Sequence, residues 1–121
     1  MQAAASQSPI AVVTGGAGFI GSHMVDLLVR RGFRVRVIDS LAGGREANLA
    51  HHRGNPQVSA EYQDVRGFEP GSALFQGARY IFHFAGIGDI VPSIEQPTEY
   101  LSANVQGTVR MLECARGAGV A

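Results

Sequence analysis

A glycine-rich turn is the part of this sequence best suited to bind an anion. Gly15, Gly18 and Gly21 recur at every third position, directly after the apolar run 10–13 and at the start of a helical pattern. Glycine lacks a side chain, so the backbone can turn tightly and approach a phosphate closely. The first turn of a helix also offers unpaired backbone N–H groups and the positive end of the helix dipole. The sequence therefore predicts a strand–turn–helix unit that binds a diphosphate.

An acidic residue at the end of the next apolar run extends this prediction to a dinucleotide. Residues 35–38 are typical of a second strand, and Asp39 follows them. Its separation from Gly21 is close to the roughly 20 positions expected for a carboxylate that accepts hydrogen bonds from the adenosine ribose. A carboxylate there would repel a 2′-phosphate, which favours NAD over NADP. The alternative is an ordinary strand–turn–helix in which the acid is accidental.

The composition restricts the classes of protein and partner. The 121 residues have a formal net charge of zero and a hydrophobic content of 45%, which is typical of one globular domain. Neither nucleic acid nor a membrane is expected as the main partner. Residues 1–9 are expected to form a flexible tail without the features of a signal peptide, and we expect a cytoplasmic location.

The single cysteine excludes an internal disulfide. Cys114 falls on an apolar helical stripe, where a buried structural thiol is more common than a nucleophile. No metal-binding set is predicted from the sequence.

Strand and helix patterns alternate along the chain, which predicts an α/β fold with a Rossmann-type, doubly wound parallel sheet. Four strands are predicted, at 10–13, 35–38, 58–62 and 79–85. The carboxyl ends of parallel strands open onto one edge of a sheet. We therefore expect the turns that follow these strands to converge on one crevice, and residues 10–121 to form an NAD-binding domain.

The helices are predicted from their apolar periodicity. A helix that follows the glycine turn has Ile20, Met24, Leu27 and Leu28 on its apolar stripe and ends near Gly32. One or two helical turns are expected within residues 68–75. The longest helix is predicted over residues 98–118, and the residues expected on its apolar face are Leu101, Val105, Thr108, Leu112 and Ala115.

Three segments together resemble one family. They are the glycine turn, the loop at 39–49, and the strand end Phe82-His83-Phe84-Ala85-Gly86. The sequence is similar to the extended short-chain dehydrogenase/reductases, specifically the NAD-dependent nucleotide-sugar epimerases and dehydratases. The segment 91–114 resembles UDP-glucose (galactose) 4-epimerases in particular. The resemblance extends over nearly the whole chain, from residue 10 to residue 120.

The resemblance implies a set of cofactor-binding residues. The backbone at the helix start would contact the pyrophosphate, Asp39 and its loop would hold the adenosine, and Asp64 with Val65 would recognise the adenine edge. The end of the fourth strand would pass beneath the nicotinamide, and Asn104 would brace the loop after it. The whole set is Gly15, Gly18, Phe19, Ile20, Gly21, Asp39, Ser40, Leu41, Gly43, Gly44, Asp64, Val65, Phe84, Ala85, Gly86 and Asn104.

Two further residues have open roles. Ser93 lies where the family places hydroxyls near the sugar nucleotide, although a helix-capping role is equally compatible with its position. His83 is interpreted as a hydrogen-bonded core histidine, since the family pattern assigns it no proton transfer.

The sequence departs from the family pattern in two places. Gly88 stands where galactose epimerases often have a lysine near the nicotinamide ribose. The family reaction also needs a tyrosine with a lysine four residues later, because a nearby cation favours the phenolate. This chain has three tyrosines and no lysine. We therefore expect no catalytic residue in this chain, which would be the cofactor-binding front of an enzyme and inactive alone.

The resemblance implies a UDP-hexose 4-epimerase that works by transient hydride transfer to NAD. Its substrate would be a nucleotide sugar, and the complete enzyme would form a homodimer. One alternative is a 4,6-dehydratase or a reductase of the same family. Another is a non-catalytic NAD-binding module.

Overall fold

A computed structural model describes residues 8–120 of the chain. Four parallel strands form one sheet in the order β3-β2-β1-β4. Their bounds are β1 Ile10–Thr14, β2 Arg34–Ile38, β3 Val58–Glu61 and β4 Ala78–His83. The four predicted strands are confirmed, with ends that differ by one or two residues.

One α-helix lies between β1 and β2, and the others follow β4. The α-helices are α1 Phe19–Arg30, α2 Ile90–Glu95, α3 Pro97–Leu101 and α4 Gly107–Gly117, with a π-helical segment Ser102–Gln106 between α3 and α4. Short 3₁₀ segments span Glu46–His52, Val65–Gly67 and Ala73–Phe75. The helical turns predicted over 68–75 are thus confined to its last three residues, and α2 was not predicted.

The central strand β1 divides the core between the two faces of the sheet. All five of its residues are buried, as expected of a strand covered on both sides. Ile10 and Val12 pack with Met111 and Cys114 of α4. Ala11 and Val13 pack on the other side, in the cluster that contains Val25 and Leu28 of α1. Helices therefore cover both faces, which confirms the doubly wound α/β fold.

The apolar stripe predicted for α1 is partly wrong. Gly21, Val25 and Leu28 are buried, whereas Ile20 is 65% exposed. The close contact of Gly21 with Gly15 draws that side of the helix onto the glycine turn, which rotates Ile20 toward solvent. The end of the helix is as predicted. Gly32 adopts φ +84°, and the amide of Phe33 bonds back to the carbonyl of Leu28.

The face predicted for the longest helix is also wrong. The buried residues of α4 are Gly107, Met111 and Cys114, while Leu101 and Leu112 are 60% and 65% exposed. A π-helical segment has a wider turn than an α-helix, so Ser102–Gln106 shifts the phase between the residues before and after it. A uniform period of 3.6 residues therefore does not describe this run.

The predicted tail lies mostly outside the described residues. Its last two residues, Ser8 and Pro9, are described, and both bond to Arg34. The Ser8 carbonyl accepts hydrogen bonds from the Arg34 guanidinium, and the Pro9 carbonyl accepts one from the Arg34 amide. Within residues 8–120, no helix has the length and apolar character needed to cross a membrane.

Candidate functional site

A groove of about 210 Å³ opens at the carboxyl edge of the sheet. Turns that follow all four strands contribute to its lining, as the parallel topology requires. The predicted residues that line it are Gly15, Gly18, Asp39, Ser40, Gly43, Gly44, Asp64, Val65, Phe84, Ala85 and Gly86.

The glycine turn is so tight that side chains would not fit in it. A Cβ at Gly21 would lie 2.0 Å from the carbonyl oxygen of Gly15. Gly15 has φ +69°, and a Cβ there would lie 2.7 Å from the backbone of Phe84. These glycines therefore hold the start of α1 against β1, and they bring the turn after β1 against the end of β4.

Within the described residues, the first turn of α1 contains no acidic side chain and no side-chain cap. Its N-cap residue is Gly18. The first intrahelical bond joins the Ser22 amide to the Gly18 carbonyl. Phe19 and Ile20 expose their side chains and do not line the groove, so only their backbone N–H groups are available to an anion there.

Asp39 is 6% exposed at the end of β2 and joins two turns. Its Oδ2 accepts a hydrogen bond from the Ala17 amide at 2.9 Å, and its Oδ1 accepts one from the Leu41 amide at 2.7 Å. A carboxylate has about four lone-pair positions, so it can accept further hydrogen bonds from a ligand. Asp39 thus positions the glycine turn and remains available as an acceptor.

The loop after Asp39 curves back over the glycine turn. Leu41 takes φ +65°, and a Cβ at Gly44 would lie 2.8 Å from Oδ2 of Asp39. The Ala17 carbonyl accepts hydrogen bonds from the Arg45 amide and from the side-chain amide of Asn48. Gly43 is exposed, with no atom within 4 Å of its Cβ position. The loop after Asp39 therefore lines the groove mainly with backbone atoms.

Asp64 belongs to an ion-pair cluster that was not predicted. Arg66 donates to both carboxylate oxygens of Asp64, at 3.0 and 2.6 Å, and to Glu99 at 2.9 Å. It also donates to the hydroxyl of Ser102. The hydrogen bonds from Arg66 hold the pKa of the Asp64 carboxyl below its usual range despite partial burial. The cluster joins the turn after β3 to the helical run that begins at α3.

A chain of hydrogen bonds holds the end of β4. Thr14 lies opposite His83 in the parallel register of β1 and β4. Oγ1 of Thr14 accepts a hydrogen bond from the Ala85 amide at 3.1 Å and lies 2.6 Å from Nδ1 of His83. Nε2 of His83 lies 3.1 Å from Oγ1 of Thr108, whose hydroxyl donates to the Asn104 carbonyl.

These contacts define one arrangement of protons. The Thr108 hydroxyl hydrogen is used on the Asn104 carbonyl, so Nε2 of His83 carries the hydrogen toward Thr108. Nδ1 is then the acceptor for the Thr14 hydroxyl. Burial lowers the pKa of His83, in agreement with a neutral ring. His83 is hydrogen-bonded at both ring nitrogens, as interpreted, but it is half-buried at the end of β4 and belongs to neither core cluster.

Asn104 braces the loop after β4, as the sequence predicts. Its Oδ1 accepts a hydrogen bond from the Ile87 amide at 2.8 Å, and its Nδ2 donates to the Ile87 carbonyl at 2.9 Å. Asn104 itself does not line the groove. Its contribution is to fix the backbone of residues that do.

Some predicted residues lie apart from the groove, and some lining residues were not predicted. Gly21 packs closely on Gly15, and Leu41 is partly buried against the core cluster beside α1. The Ser93 hydroxyl donates to the Ile90 carbonyl inside α2 instead of capping the helix. The lining residues absent from the prediction are Ala42, Gln63, Arg66, Ile87, Glu99 and Ala103. The opposite charges of Asp64 and Arg66, two positions apart, are the feature of the sequence from which this ion pair could be predicted.

The groove fits the chemistry of a dinucleotide. The α1 N-terminus offers N–H donors for a diphosphate, Asp39 offers an acceptor for hydroxyl groups, and the cradle of glycines leaves backbone accessible. These groups are of the types that a dinucleotide would require.

A family model described as the NAD dependent epimerase/dehydratase family matches residues 11–121. UDP-glucuronic acid decarboxylase 4 of Arabidopsis thaliana is 40% identical over 108 residues, which are 89% of this chain and 23% of that protein. UDP-glucose 4-epimerase 4 of Oryza sativa subsp. japonica is 37% identical over 127 residues, covering 92% of this chain and 32% of that protein. The chain thus spans only 23% and 32% of the length of these two curated relatives.

Solved structures share the fold closely. A UDP-N-acetylglucosamine 4-epimerase from Methanobrevibacter ruminantium M1, in complex with UDP-N-acetylmuramic acid, superposes with a TM-score of 0.85 at 26% identity, covering 93% of this chain and 36% of that one. DesIV, a dTDP-glucose 4,6-dehydratase from Streptomyces venezuelae with NAD and TYD bound, superposes with a TM-score of 0.82 at 38% identity. That match covers 92% of this chain and 37% of that one.

Proposed function

The chain belongs to the NAD dependent epimerase/dehydratase family, and from this premise we propose that it is the NAD-binding part of a nucleotide-sugar 4-epimerase acting on a UDP-hexose. The observation that carries the proposal is the groove at the sheet edge, where the glycine turn, Asp39, Asp64 and the end of β4 line one surface. The domain so proposed spans residues 10–121.

Each wall of the groove has a proposed role. The backbone N–H groups of Phe19 and Ile20 at the start of α1 bind the pyrophosphate. Asp39 accepts hydrogen bonds from the adenosine ribose, while Ser40, Leu41, Gly43 and Gly44 form the loop beside the adenosine.

The turn after β3 and the end of β4 hold the adenine and the nicotinamide ends of the cofactor. Asp64 and the backbone of Val65 receive the adenine edge, with Arg66 keeping the Asp64 carboxylate ionised and oriented. Phe84, Ala85 and Gly86 pass beneath the nicotinamide ribose. NAD, when bound, supplies a reversible hydride acceptor for C4 of the sugar. The acid–base pair of the family reaction, Tyr-x-x-x-Lys, is not formed within these 121 residues, which contain no lysine.

Calorimetric titration of the 121-residue chain with NAD and with NADP tests the cofactor assignment. We expect NAD to bind more tightly than NADP, because Asp39 would repel the 2′-phosphate. Asp39→Asn should weaken NAD binding and reduce the preference between the two cofactors. Glu95→Gln, at an exposed acid near the end of α2, is the matched control and should change neither. Absence of saturable NAD binding by a folded chain would exclude the proposal.

The curated relatives favour a second candidate function, the decarboxylation of UDP-glucuronic acid. UDP-glucuronic acid decarboxylases match at 40–41% identity, slightly above the UDP-glucose 4-epimerases at 36–37%. DesIV represents the dehydratase alternative among the structures. All three activities are compatible with the groove, since its lining concerns the cofactor.

Product analysis with the natural polypeptide that carries this segment separates the candidates. Conversion of UDP-glucose to UDP-galactose supports the 4-epimerase. Release of carbon dioxide from UDP-glucuronic acid, without that conversion, transfers the assignment to the decarboxylase. Loss of water from dTDP-glucose transfers it to the dehydratase.

A further inference from the structure

Three potential metal ligands converge on the side of the molecule formed by α1 and the 3₁₀ segment Glu46–His52. Nε2 of His51 and Nε2 of His52 lie 2.7 and 2.6 Å from the same oxygen, Oδ1 of Asp26. The ligand atoms of the three residues all lie within 4.8 Å of one another. None of these residues lines the groove. The sequence separates Asp26 from the histidine pair, so only the fold reveals this cluster.

We propose that Asp26, His51 and His52 form a binding site for a divalent transition metal of the zinc class. Two imidazoles and one carboxylate are a donor set that Zn²⁺ and its neighbours prefer, whereas Mg²⁺ and Ca²⁺ prefer oxygen ligands alone. Three protein ligands leave a further coordination position for water.

The geometry requires little rearrangement to hold a cation. Ligand atoms about 2.1 Å from a tetrahedral Zn²⁺ are separated by about 3.4 Å. The present separations from Oδ1 are hydrogen-bond lengths, so each imidazole would retreat by less than an ångström. The His51 side chain is 55% exposed and can move. The His52 side chain is only 9% exposed, so its position is restricted by the surrounding residues.

The charges agree with this assignment. Oδ1 of the Asp26 carboxylate lies within hydrogen-bond distance of Nε2 of both His51 and His52. A divalent cation between the carboxylate and the two imidazoles would replace the hydrogens that now bridge these groups. A bound cation would also fasten the 3₁₀ segment to α1.

Metal titration of the 121-residue chain, purified without a histidine tag and first treated with EDTA, tests the proposal. We expect one Zn²⁺ or Co²⁺ per chain to bind saturably and to raise the melting temperature. His51→Gln and His52→Gln should each weaken binding by about tenfold or more. His23→Gln, on the same helix as Asp26 but bonded to the Phe19 carbonyl, is the matched control and should bind as the wild type does.

Asp26→Asn distinguishes a metal site from a hydrogen-bonded clamp. Asparagine keeps an acceptor oxygen for the two imidazoles but lacks the charge, so melting in EDTA should change little while Zn²⁺ binding falls. Equal binding by the wild type, His51→Gln and His52→Gln would overturn the proposal, as would no saturable binding by the wild type. If Asp26→Asn or His52→Gln does not fold, the exposed His51→Gln decides.

Discussion

The turns that follow β1 and β4 lie side by side at the same edge of the sheet, and they differ in how closely their backbones pack. The turn after β1 has side-chain hydrogen bonds to Asp39 and Asn48, but it is also closely packed, since a Cβ at Gly21 would lie 2.0 Å from the Gly15 carbonyl oxygen. The loop after β4 is fixed by hydrogen bonds to side chains. The Ala85 amide donates to Oγ1 of Thr14, the Ile87 amide donates to Oδ1 of Asn104, and Nδ2 of Asn104 donates to the Ile87 carbonyl.

This difference explains which parts of the groove a sequence reveals. Backbone packing at the first turn requires glycine at fixed, nearby positions, so it leaves a local motif. The second loop depends on residues far away in the chain, and many polar residues at those positions would look alike. The two turns should therefore respond to different substitutions.

The largest effect is expected at the first turn. Gly21→Ala places a methyl group inside the contact with Gly15, and the helix propensity gained does not offset this overlap. We expect the free energy of unfolding to fall by about 3 kcal/mol, measured by denaturant titration. Gly71→Ala is the control, because no atom lies within 4 Å of its Cβ position, and it should change stability by about 0.5 kcal/mol or less. Similar losses in both variants would refute the steric account.

A smaller loss is expected when the link between the two turns is cut. Thr14→Val keeps the shape of a fully buried side chain but leaves the Ala85 amide and Nδ1 of His83 without this partner. The free energy of unfolding should fall by about 2 kcal/mol. Thr98→Val, at an exposed position in α3, should be nearly neutral. A neutral Thr14→Val would show that packing, rather than hydrogen bonding, holds the end of β4.

Asn104 should affect ligand binding more than stability. Asn104→Ala removes both hydrogen bonds to Ile87 at an exposed site, which should cost about 1 kcal/mol of stability or less. We expect the affinity for NAD, measured by calorimetry, to fall several-fold because the loop after β4 loses its brace. Asn104→Asp keeps the acceptor for the Ile87 amide and should be intermediate. Unchanged affinity for NAD in both variants would show that Asn104 does not support the cofactor site.

The smallest effect concerns protonation of His83. Burial lowers its pKa below the ordinary value of about 6.5, so the folded chain binds this proton less readily than the unfolded chain. The stabilising contribution of neutral His83 is therefore lost as the pH falls below about 6.5. An NMR titration of the ring should give a pKa below 6.5, and a higher value would contradict the neutral tautomer. His83→Gln should lessen the dependence of stability on pH.

The sequence predicts the parallel α/β sheet and most of the groove lining, because strand patterns, glycine spacing and Asp39 are local signals. It fails for the helix faces. The π-helical segment Ser102–Gln106 breaks the period from which the buried face was predicted. The sequence-based prediction also misses the role of Thr14, whose partners are brought together by the register of the sheet. It misses the cluster of Asp26, His51 and His52 as well, because only the packing of α1 brings these residues together.

The most direct test of the central claim is an amide NMR spectrum of the chain titrated with NAD. If the two turns form one cofactor groove, signals from three segments should shift together with a single dissociation constant: Gly15–Gly21, Asp39–Gly44 and Phe84–Ile87. Signals from residues near Asp26 and His51 should remain in place. Shifts confined to one turn, or no shifts in a folded chain, would contradict the claim that the turns after β1 and β4 act as one site.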